Sequence, residues 1–172
     1  VSTYQVASSN VWGKATLARQ AVNGIYNEFY TRSSTNVNED NWKVMYEAYS
    51  SVMDTDKNWY ENQKVCYGNG TPSSGTFSEM YKYYYTFVFR ANDAITHIDQ
   101  VPDMDASEKA RLKAEAKFLR AYGYMNLNVL YRGVPLYLEY IEDASKANRP
   151  RSAEKEVWEA IIKDLTACVE EE

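Results

Sequence analysis

The sequence predicts an all-α fold made of helix pairs. Several long segments carry apolar residues every three or four positions, which is the spacing of an amphipathic helix. Capping residues, Gly and Pro mark the boundaries of these segments. At 172 residues, with 45% hydrophobic and 25% charged residues, the chain has the size and composition of one ordinary globular domain. We therefore expect residues 1–172 to form a single domain with a sizeable core.

The first two predicted helices precede a long loop. Helix one spans residues 9–30, and a shorter second helix spans residues 42–49, where Trp42 begins an apolar stripe. Residues 51–76 are predicted to be a loop, because three Gly and a Pro lie among small polar residues near its end. Loops longer than about 12–15 residues are usually functional or disordered. The inward stripe of helix one is Val11, Ala15, Ala18, Val22, Ile25, Tyr26 and Phe29.

A third helix follows the loop and ends before Val101 and Pro102. Its inward stripe is Phe77, Met80, Tyr84, Phe87, Val88, Ala91, Ile95 and Ile98. On a helical wheel, Tyr81, Tyr83 and Tyr85 spread around the remaining surface. We expect some of these three rings to be covered by a neighbour that lies outside this chain.

The fourth helix begins at a predicted capping box formed by Asp105 and Glu108. Its inward stripe is Leu112, Ala116, Leu119, Gly123, Leu127 and Leu130. Gly in a helix interior costs roughly 1 kcal/mol relative to Ala. Gly123 is therefore predicted to allow a neighbouring helix to approach closely.

An extended segment separates the fourth helix from the last one. Gly and Pro followed by a β-rich run predict that residues 132–141 leave the helix and extend. Ser152 is the predicted cap of the last helix, whose first turn carries Glu154 and Glu156 at the positive end of the helix dipole. Its predicted inward face is Val157, Trp158, Ile161, Ile162, Leu165, Cys168 and Val169. So apolar a face on the last helix suggests that the natural protein continues beyond residue 172.

Charge and composition exclude several classes of function. A net charge of -5 and a pI near 5.1 oppose nucleic-acid binding, which rests on clustered Lys and Arg. No stretch approaches the roughly 18–20 apolar residues needed to cross a bilayer. Cys66 and Cys168 have no Cys-x-x-Cys spacing or His pair beside them, so no metal or cofactor is expected, and their pairing stays open. His97, the single histidine, is predicted to be a surface or packing residue.

One segment carries a specific family resemblance. Residues 114–141, AEAKFLRAYGYMNLNVLYRGVPLYLEYI, resemble the SusD/RagB family, in which a Glu-Ala-x-Phe-Leu-Arg-Ala-Tyr-x-Tyr helix precedes a Gly-Val-Pro-Leu turn. The matching positions are Glu115, Ala116, Phe118, Leu119, Arg120, Ala121, Tyr122, Tyr124, Leu127, Gly133, Val134, Pro135 and Leu136. The stretches AVNGIYNEFY, RANDAITHID and SAEKEVWEAIIKDLTAC agree with the order of the family. The sequence departs from the pattern at Gly123, Met125 and Arg132, where the turn often has Gly.

The resemblance implies a scaffold of tetratricopeptide-like helix pairs and a non-catalytic function. Members are lipid-anchored on the outer face of the outer membrane. They cap a TonB-dependent (SusC-like) transporter and deliver oligosaccharide, or in some members peptide, to it. Members are also much longer, so this chain resembles the N-terminal part of one. The sequence itself carries no clean 34-residue period.

The loop segment DTDKNWYENQ, residues 54–63, suggests a calcium site or a glycosidase acid/base pair, and its residues argue against both. Asp54 and Asp56 would open a calcium loop, but Trp59 stands where the sharp turn needs Gly. Val65 stands where the loop needs a bidentate Glu. The two carboxylates also lack a neighbour that would raise one pKa, as a glycosidase acid requires. We therefore predict no catalysis.

Binding through aromatic rings is the interpretation that remains for this loop. Sugar rings present apolar C–H faces to Trp or Tyr, while Asp, Asn and Gln bond their hydroxyls. The predicted ligand-binding residues are Asp56, Asn58, Trp59, Tyr60, Asn62, Tyr67 and Asn69. Two alternatives stay open: Trp59 as a plug over the core, and the whole chain as a helical-repeat scaffold that binds protein partners.

Overall fold

The computed structural model describes residues 11–30, residue 71 and residues 75–170. Four helices lie in these ranges: α1 (Ala15–Tyr26), α2 (Gly75–His97), α3 (Ala106–Tyr131) and α4 (Glu154–Glu170). Short 3-10 turns span Asn27–Tyr30, Ile98–Gln100 and Ala144–Ala147. The described ranges contain no strand, and the predicted all-α fold is confirmed. None of the helices described is long and apolar enough to cross a membrane. The predicted helix at 42–49 and most of the loop at 51–76 lie outside the described residues.

The chain divides into two compact units. The first consists of residues 1–26 and 84–172, and the second consists of residues 27–83. In the second unit, the hydroxyl of Tyr83 donates to the carbonyl of Glu28 at 3.3 Å. The first unit contains α1, α3, α4 and the part of α2 from Tyr84 to His97, and its geometry determines the site described below.

The core of the first unit is formed by the predicted helix stripes. Its fully buried members include Ala18, Val22, Ile25, Phe87, Val88, Leu119 and Leu127. Gly123 lies against α2: a Cβ built on it would be 2.9 Å from the carbonyl oxygen of Tyr84 and 3.2 Å from the Cβ of Phe87. The predicted close approach at Gly123 is therefore confirmed.

The predicted helix one is interrupted before α1, which begins at Ala15, and residues 9 and 10 lie outside the described residues. Residues 12–14 form a turn and a bend, which the flexible Gly13 favours. The amide of Ala15 donates to the carboxylate of Asp103 at 2.6 Å, so a distant side chain satisfies one of the free donors at the start of the helix. This turn positions Trp12 beside the cleft described below.

α3 begins at the predicted residue, but only half of its capping box forms. Asp105 accepts from the amide of Glu108 at 2.8 Å, as an N-cap does. The carboxylate of Glu108 pairs with the guanidinium of Arg19 at 2.5 and 2.6 Å. A charged partner on α1 offers Glu108 a stronger hydrogen bond than the reciprocal bond to a neutral amide.

The predicted cap of α4 is one residue off. Ala153, not Ser152, precedes the helix, and its carbonyl accepts the first helical bond from Val157. The amide of Ala153 donates to the carboxylate of Glu156 at 2.8 Å. Ser152 is instead held by Val134, whose carbonyl accepts from its amide at 3.2 Å.

The inward face of α4 is narrower than predicted. Val157 and Ile161 are buried, but Ile162 is 61% exposed and Val169 is 73% exposed. Leu165 is also exposed, while Trp158 and Cys168 are half-buried. The prediction was wrong for the exposed three because α3 is the main packing partner of α4, and one helix covers only one stripe.

Residues 132–141 are extended, as predicted, without forming a strand. α3 ends at Arg132, which has φ 51°, and Gly133 has φ 81°. A Cβ on Gly133 would be 2.5 Å from the carbonyl oxygen of Ser152, so this position requires Gly. The turn directs the chain away from α3 into the extended segment.

Candidate functional site

The extended segment at residues 133–138 is held by side chains instead of by a neighbouring strand. Tyr85 donates to the carbonyl of Pro135 at 2.7 Å, and Arg149 donates to that of Leu136 at 3.0 Å. Arg151 donates to the carbonyl of Gly133 at 3.0 Å. Buried backbone polar groups must be hydrogen-bonded, and here side chains meet that need. The segment therefore has a defined position although it lacks regular structure.

Arg120 on α3 is the central donor of this arrangement. Its guanidinium makes a two-pronged bond to the carboxylate of Asp164 on α4, at 2.7 and 2.6 Å. It also donates to the side chain of Asn92 at 2.7 Å and to the carbonyl of Leu138 at 3.0 Å. Both charged side chains are buried, so the cost of removing them from water is offset by this full set of partners. The residue joins α2, α3, α4 and the extended segment.

Asn92 and Tyr124 fix the next backbone position. Both donate to the carbonyl of Tyr137, at 2.7 and 3.0 Å, and the amide of Tyr137 donates to the Tyr124 hydroxyl at 2.6 Å. Burial raises the pKa of Tyr124 well above its ordinary value of 10, outweighing the hydrogen bond from Tyr137, which lowers the pKa. The neutral hydroxyl is thus the form that the fold requires.

A cluster of rings covers the segment on the side of α2. Tyr85 meets Tyr137 edge-on at 5.7 Å and stacks on Phe89 at 5.6 Å. The guanidinium of Arg149 lies over the ring of Tyr137 at 5.2 Å. Some of the rings of Tyr81, Tyr83 and Tyr85 were expected to need cover from outside the chain, and Tyr85 is not one of them. The extended segment folds back over α2 and buries the ring.

Beside this segment lies an open cleft with two adjoining cavities, called here the aromatic cleft. One cavity has a volume of about 280 Å³ and is lined by Phe89, Asn92, Tyr140, Ile141, Glu142 and Ala147. The other has a volume of about 530 Å³ and is lined by Trp12, Gly13, His97, Gln100, Pro102, Tyr140 and Glu142. Tyr140 and Glu142 belong to both linings, so the two cavities lie next to each other.

The rings of the aromatic cleft are mutually ordered. His97 stacks on Trp12 with centroids 5.8 Å apart and meets Tyr140 edge-on at 5.1 Å. The Nδ1 atom of His97 lies 2.8 Å from the carbonyl oxygen of Asp93, which fixes the imidazole. His97 is thus a packing residue, as predicted. The indole N–H of Trp12 is buried without an acceptor among the described residues.

The chemistry available in this cleft is binding by contact. Exposed ring faces lie beside a carboxylate and an amide, which suits a ligand with apolar faces and hydroxyl groups. Within the described ranges, no group of three His, Cys, Asp or Glu is placed to hold a metal ion. The thiol of Cys168 lies 3.2 Å from the carbonyl oxygen of Ala114, and Cys66 lies outside the described residues.

The predicted ligand-binding residues lie outside the part of the chain that the structure describes. These residues are Asp56, Asn58, Trp59, Tyr60, Asn62, Tyr67 and Asn69. The rejected calcium-loop and glycosidase interpretations concern the same segment. The aromatic cleft is therefore a separate candidate, which the sequence did not predict.

Sequence reasoning also missed the Arg120 pair, although a signal was present. Arg120 lies one helical turn from Ala116 and one turn from Tyr124, on a single row of α3. Asp164 interrupts the inward row of α4 three positions after Ile161. Opposite charges on two facing apolar rows predict a buried pair. Periodicity alone did not show that these rows face each other.

Comparison with known proteins identifies the family. The SusD-like family model described as "Starch-binding associating with outer membrane" matches residues 5–170. SusD-like protein P38 of Formosa agariphila is 32% identical over 119 residues, covering 67% of this chain and 22% of that protein. A SusD-like protein of Bacteroides fragilis has a TM-score of 0.76 at 26% identity, covering 96% of this chain and 31% of that structure. A laminarin-binding SusD-like protein has a TM-score of 0.76 at 24% identity, covering 92% of this chain and 34% of that structure.

The chain thus spans about a fifth to a third of the length of these relatives. The match nevertheless includes the helix that carries Arg120 and Tyr124 and the segment that these two residues hold. Residues 114–141, which carry the resemblance most specifically, therefore all lie in the first unit. A family match along nearly the whole chain and the same helical fold in solved relatives lead to one conclusion: this chain belongs to the SusD-like family.

Proposed function

We propose that the protein is a non-catalytic binding component of the cell surface that captures oligosaccharide nutrients. The observation that carries this proposal is the match of residues 5–170 to a family described as starch-binding and associated with the outer membrane. Two relatives of similar fold support it, one a laminarin-binding protein and one a surface glycan-binding protein of Bacteroides fluxus. Contact through rings needs no reactive group, which agrees with the chemistry of the aromatic cleft.

The finer proposal concerns the rest of the protein and its partner. Because solved relatives are about three times longer, we propose that the chain is the N-terminal part of a longer SusD-like protein. We propose further that a lipid anchor holds the protein on the outer surface and that it delivers its ligand to a TonB-dependent, SusC-like transporter. Peptide is the alternative cargo.

The proposed primary ligand site lies in the loop at residues 51–76. Its seven residues, proposed above from composition, supply three rings for sugar faces, and three amides and a carboxylate for hydroxyl groups. Trp59 is the ring that we expect to contribute most, because indole offers the largest apolar face.

A second candidate function has one observation in its favour. The exposed apolar side chains Phe118, Ile162 and Val169 lie on the paired helices α3 and α4, and such a surface suits a protein partner. On this alternative, the chain would be a helical-repeat scaffold. The two functions differ in what the purified protein binds.

Calorimetric titration of the full-length protein with laminarin-derived oligosaccharide tests the proposal. We expect saturable binding that weakens about tenfold in Trp59→Ala, a loss of about 1.4 kcal/mol. Phe118→Ala is the matched control, since it removes a 48% exposed ring that lines neither cavity, and it should bind like the parent protein.

Two results would contradict the proposal. No binding to any member of a glycan array, together with saturable binding of a protein partner that Phe118→Ala weakens, would favour the scaffold. Release of sugar products, lost in Asp54→Asn or Asp56→Asn, would show that the protein is an enzyme.

A further inference from the structure

We propose that the aromatic cleft is a second carbohydrate site, selective for uncharged sugar rings and lined by residues other than the seven predicted in the loop. This inference rests on the proposed function, because it assumes that the protein binds glycans. It concerns residues of the first unit alone: Trp12, Phe89, His97, Gln100, Tyr140 and Glu142.

Exposed rings at the cleft provide the apolar contact that a pyranose requires. Tyr140 is 37% exposed and lines both cavities, and Phe89 is 42% exposed and lines the smaller one. Ordinary core packing buries aromatic side chains of this size, as it does for Tyr84 and Tyr124 in the same unit. Rings left open within a concave surface are typical of ligand sites.

Polar groups stand where sugar hydroxyls would meet them. Glu142, exposed and shared by the two linings, offers carboxylate oxygens as acceptors, and Gln100 offers both a donor and an acceptor. A ring contact combined with a few placed polar groups is the usual composition of a small-ligand site. The larger cavity, about 530 Å³, falls within the range of about 300–1,000 Å³ found for such sites.

The charge of the lining selects among glycans. Of the described residues that line the two cavities, none is Lys or Arg, and Glu142 carries a carboxylate. A uronic or sulfated sugar would bring a second negative charge against Glu142, and the described lining residues offer no cation to offset it. Neutral sugar rings meet no such cost. The lining therefore favours an uncharged oligosaccharide.

The residues that position Tyr140 and His97 in the aromatic cleft are themselves held in place. Tyr140 follows the segment whose carbonyls are held by Arg120, Asn92 and Tyr124. Its ring rests against His97, which is itself fixed by Asp93 and Trp12. A site whose contacting groups are already positioned loses little conformational freedom on binding.

Titration of the full-length protein with laminarin-derived oligosaccharide, in a Trp59→Ala background, isolates the cleft. We expect residual saturable binding in Trp59→Ala that Tyr140→Ala weakens about tenfold, since the ring contact is lost. Phe118→Ala in the same background is the control for removal of an exposed ring elsewhere. Thermal melting of each variant confirms that it is folded.

Glu142→Gln tests the charge selectivity, because it removes one charge and keeps the shape. With a uronic-acid oligosaccharide at low salt, we expect the Trp59→Ala protein to bind several-fold more weakly than with the neutral one. Glu142→Gln in the same background should reduce the difference in affinity between the uronic-acid and the neutral oligosaccharide. An unchanged difference would overturn the selectivity.

The outcomes separate this inference from the proposed function. If the parent protein binds no glycan, both fall. If the parent binds glycan but Tyr140→Ala binds like Trp59→Ala alone, only the cleft site falls. Saturation of the cleft by a proline-rich peptide with no glycan binding in the Trp59→Ala background would also overturn it.

Discussion

Arg120 shows how a single residue can hold the arrangement that builds the site. It contributes hydrogen bonds to Asp164, Asn92 and the carbonyl of Leu138, and it is buried. A buried ion pair is weak evidence of net stability, because both ions have lost their water. Removing one partner is nevertheless costly, because the other charge remains unpaired in the interior.

We predict that Arg120→Met lowers the free energy of unfolding by about 3–5 kcal/mol, because Asp164 is then buried without a cation. Urea denaturation of the variant measures this loss. The double variant Arg120→Met, Asp164→Leu should recover much of it, since no charge is left uncompensated. A loss below about 1 kcal/mol in Arg120→Met would show that the pair is not buried as described.

Gly123 offers a second prediction at the residue scale, with a control in the same protein. Gly123→Ala should lower the free energy of unfolding by about 1–3 kcal/mol, because the new Cβ would meet the carbonyl of Tyr84 at 2.9 Å. Gly24→Ala on α1 meets nothing within 4 Å and should instead stabilise by up to about 1 kcal/mol, from helix propensity. Equal effects of the two changes in thermal melting would contradict the close approach.

The sequence predicted single residues best where one local rule decides their role. Asp105 caps α3 and Gly123 meets α2, because capping and the lack of a Cβ act over short distances. The role of Asp164 was not predicted, since it depends on Arg120, which lies 44 positions away on another helix. Glu108 reaches Arg19, 89 positions away, instead of its own helix end, for the same reason.

At the scale of elements, the extended segment after α3 is the least regular and most informative part. Its sequence predicts a change from helix to extended chain at Gly133 and Pro135, which the structure confirms. Its partners were not predictable, because side chains of α2 and α3 replace the neighbouring strand that a β-rich run usually requires. The exposed half of α4 was likewise unpredictable, since periodicity gives a stripe but not how many neighbours cover it.

Alkaline pH should lower the free energy of unfolding, because it ionises Tyr124, which holds the extended segment. Burial raises the pKa of Tyr124 in the folded state above its ordinary value of 10, so the folded protein holds this proton more tightly than the unfolded chain does. The contribution is complete below pH 10 and is lost as the pH rises above that value, because the unfolded chain ionises first. We predict that urea midpoints fall steeply as the pH rises above about 10.

The matched variant is Tyr124→Phe. Near neutral pH it should be less stable by about 1–3 kcal/mol, because the amide of Tyr137 loses its acceptor. Above pH 10 its urea midpoint should fall less steeply than that of the parent. Tyr26, whose pKa burial also raises, remains in both proteins and contributes equally. Parallel curves for the two proteins would contradict the role of Tyr124.

At the scale of the whole molecule, the family was the most predictable property. The helix that carries Arg120 and the turn at Gly133 carry the resemblance, and they build one irregular structure in which a Cβ at residue 133 would lie 2.5 Å from the carbonyl oxygen of Ser152. The site was less predictable. Loop composition indicated Trp59, whereas the aromatic cleft assembles Trp12, His97 and Tyr140 from distant segments. No pattern within a short stretch of sequence predicts that these three residues lie together.

The central proposal is that this protein captures neutral glycan by contact and leaves it intact. The most direct measurement incubates the full-length protein with laminarin and follows, in one sample, the bound polysaccharide and the reducing ends in solution. We predict saturable binding with no increase in reducing ends over time. Reducing ends that increase with time, or laminarin and related neutral glycans that stay unbound at saturating protein, would contradict the claim.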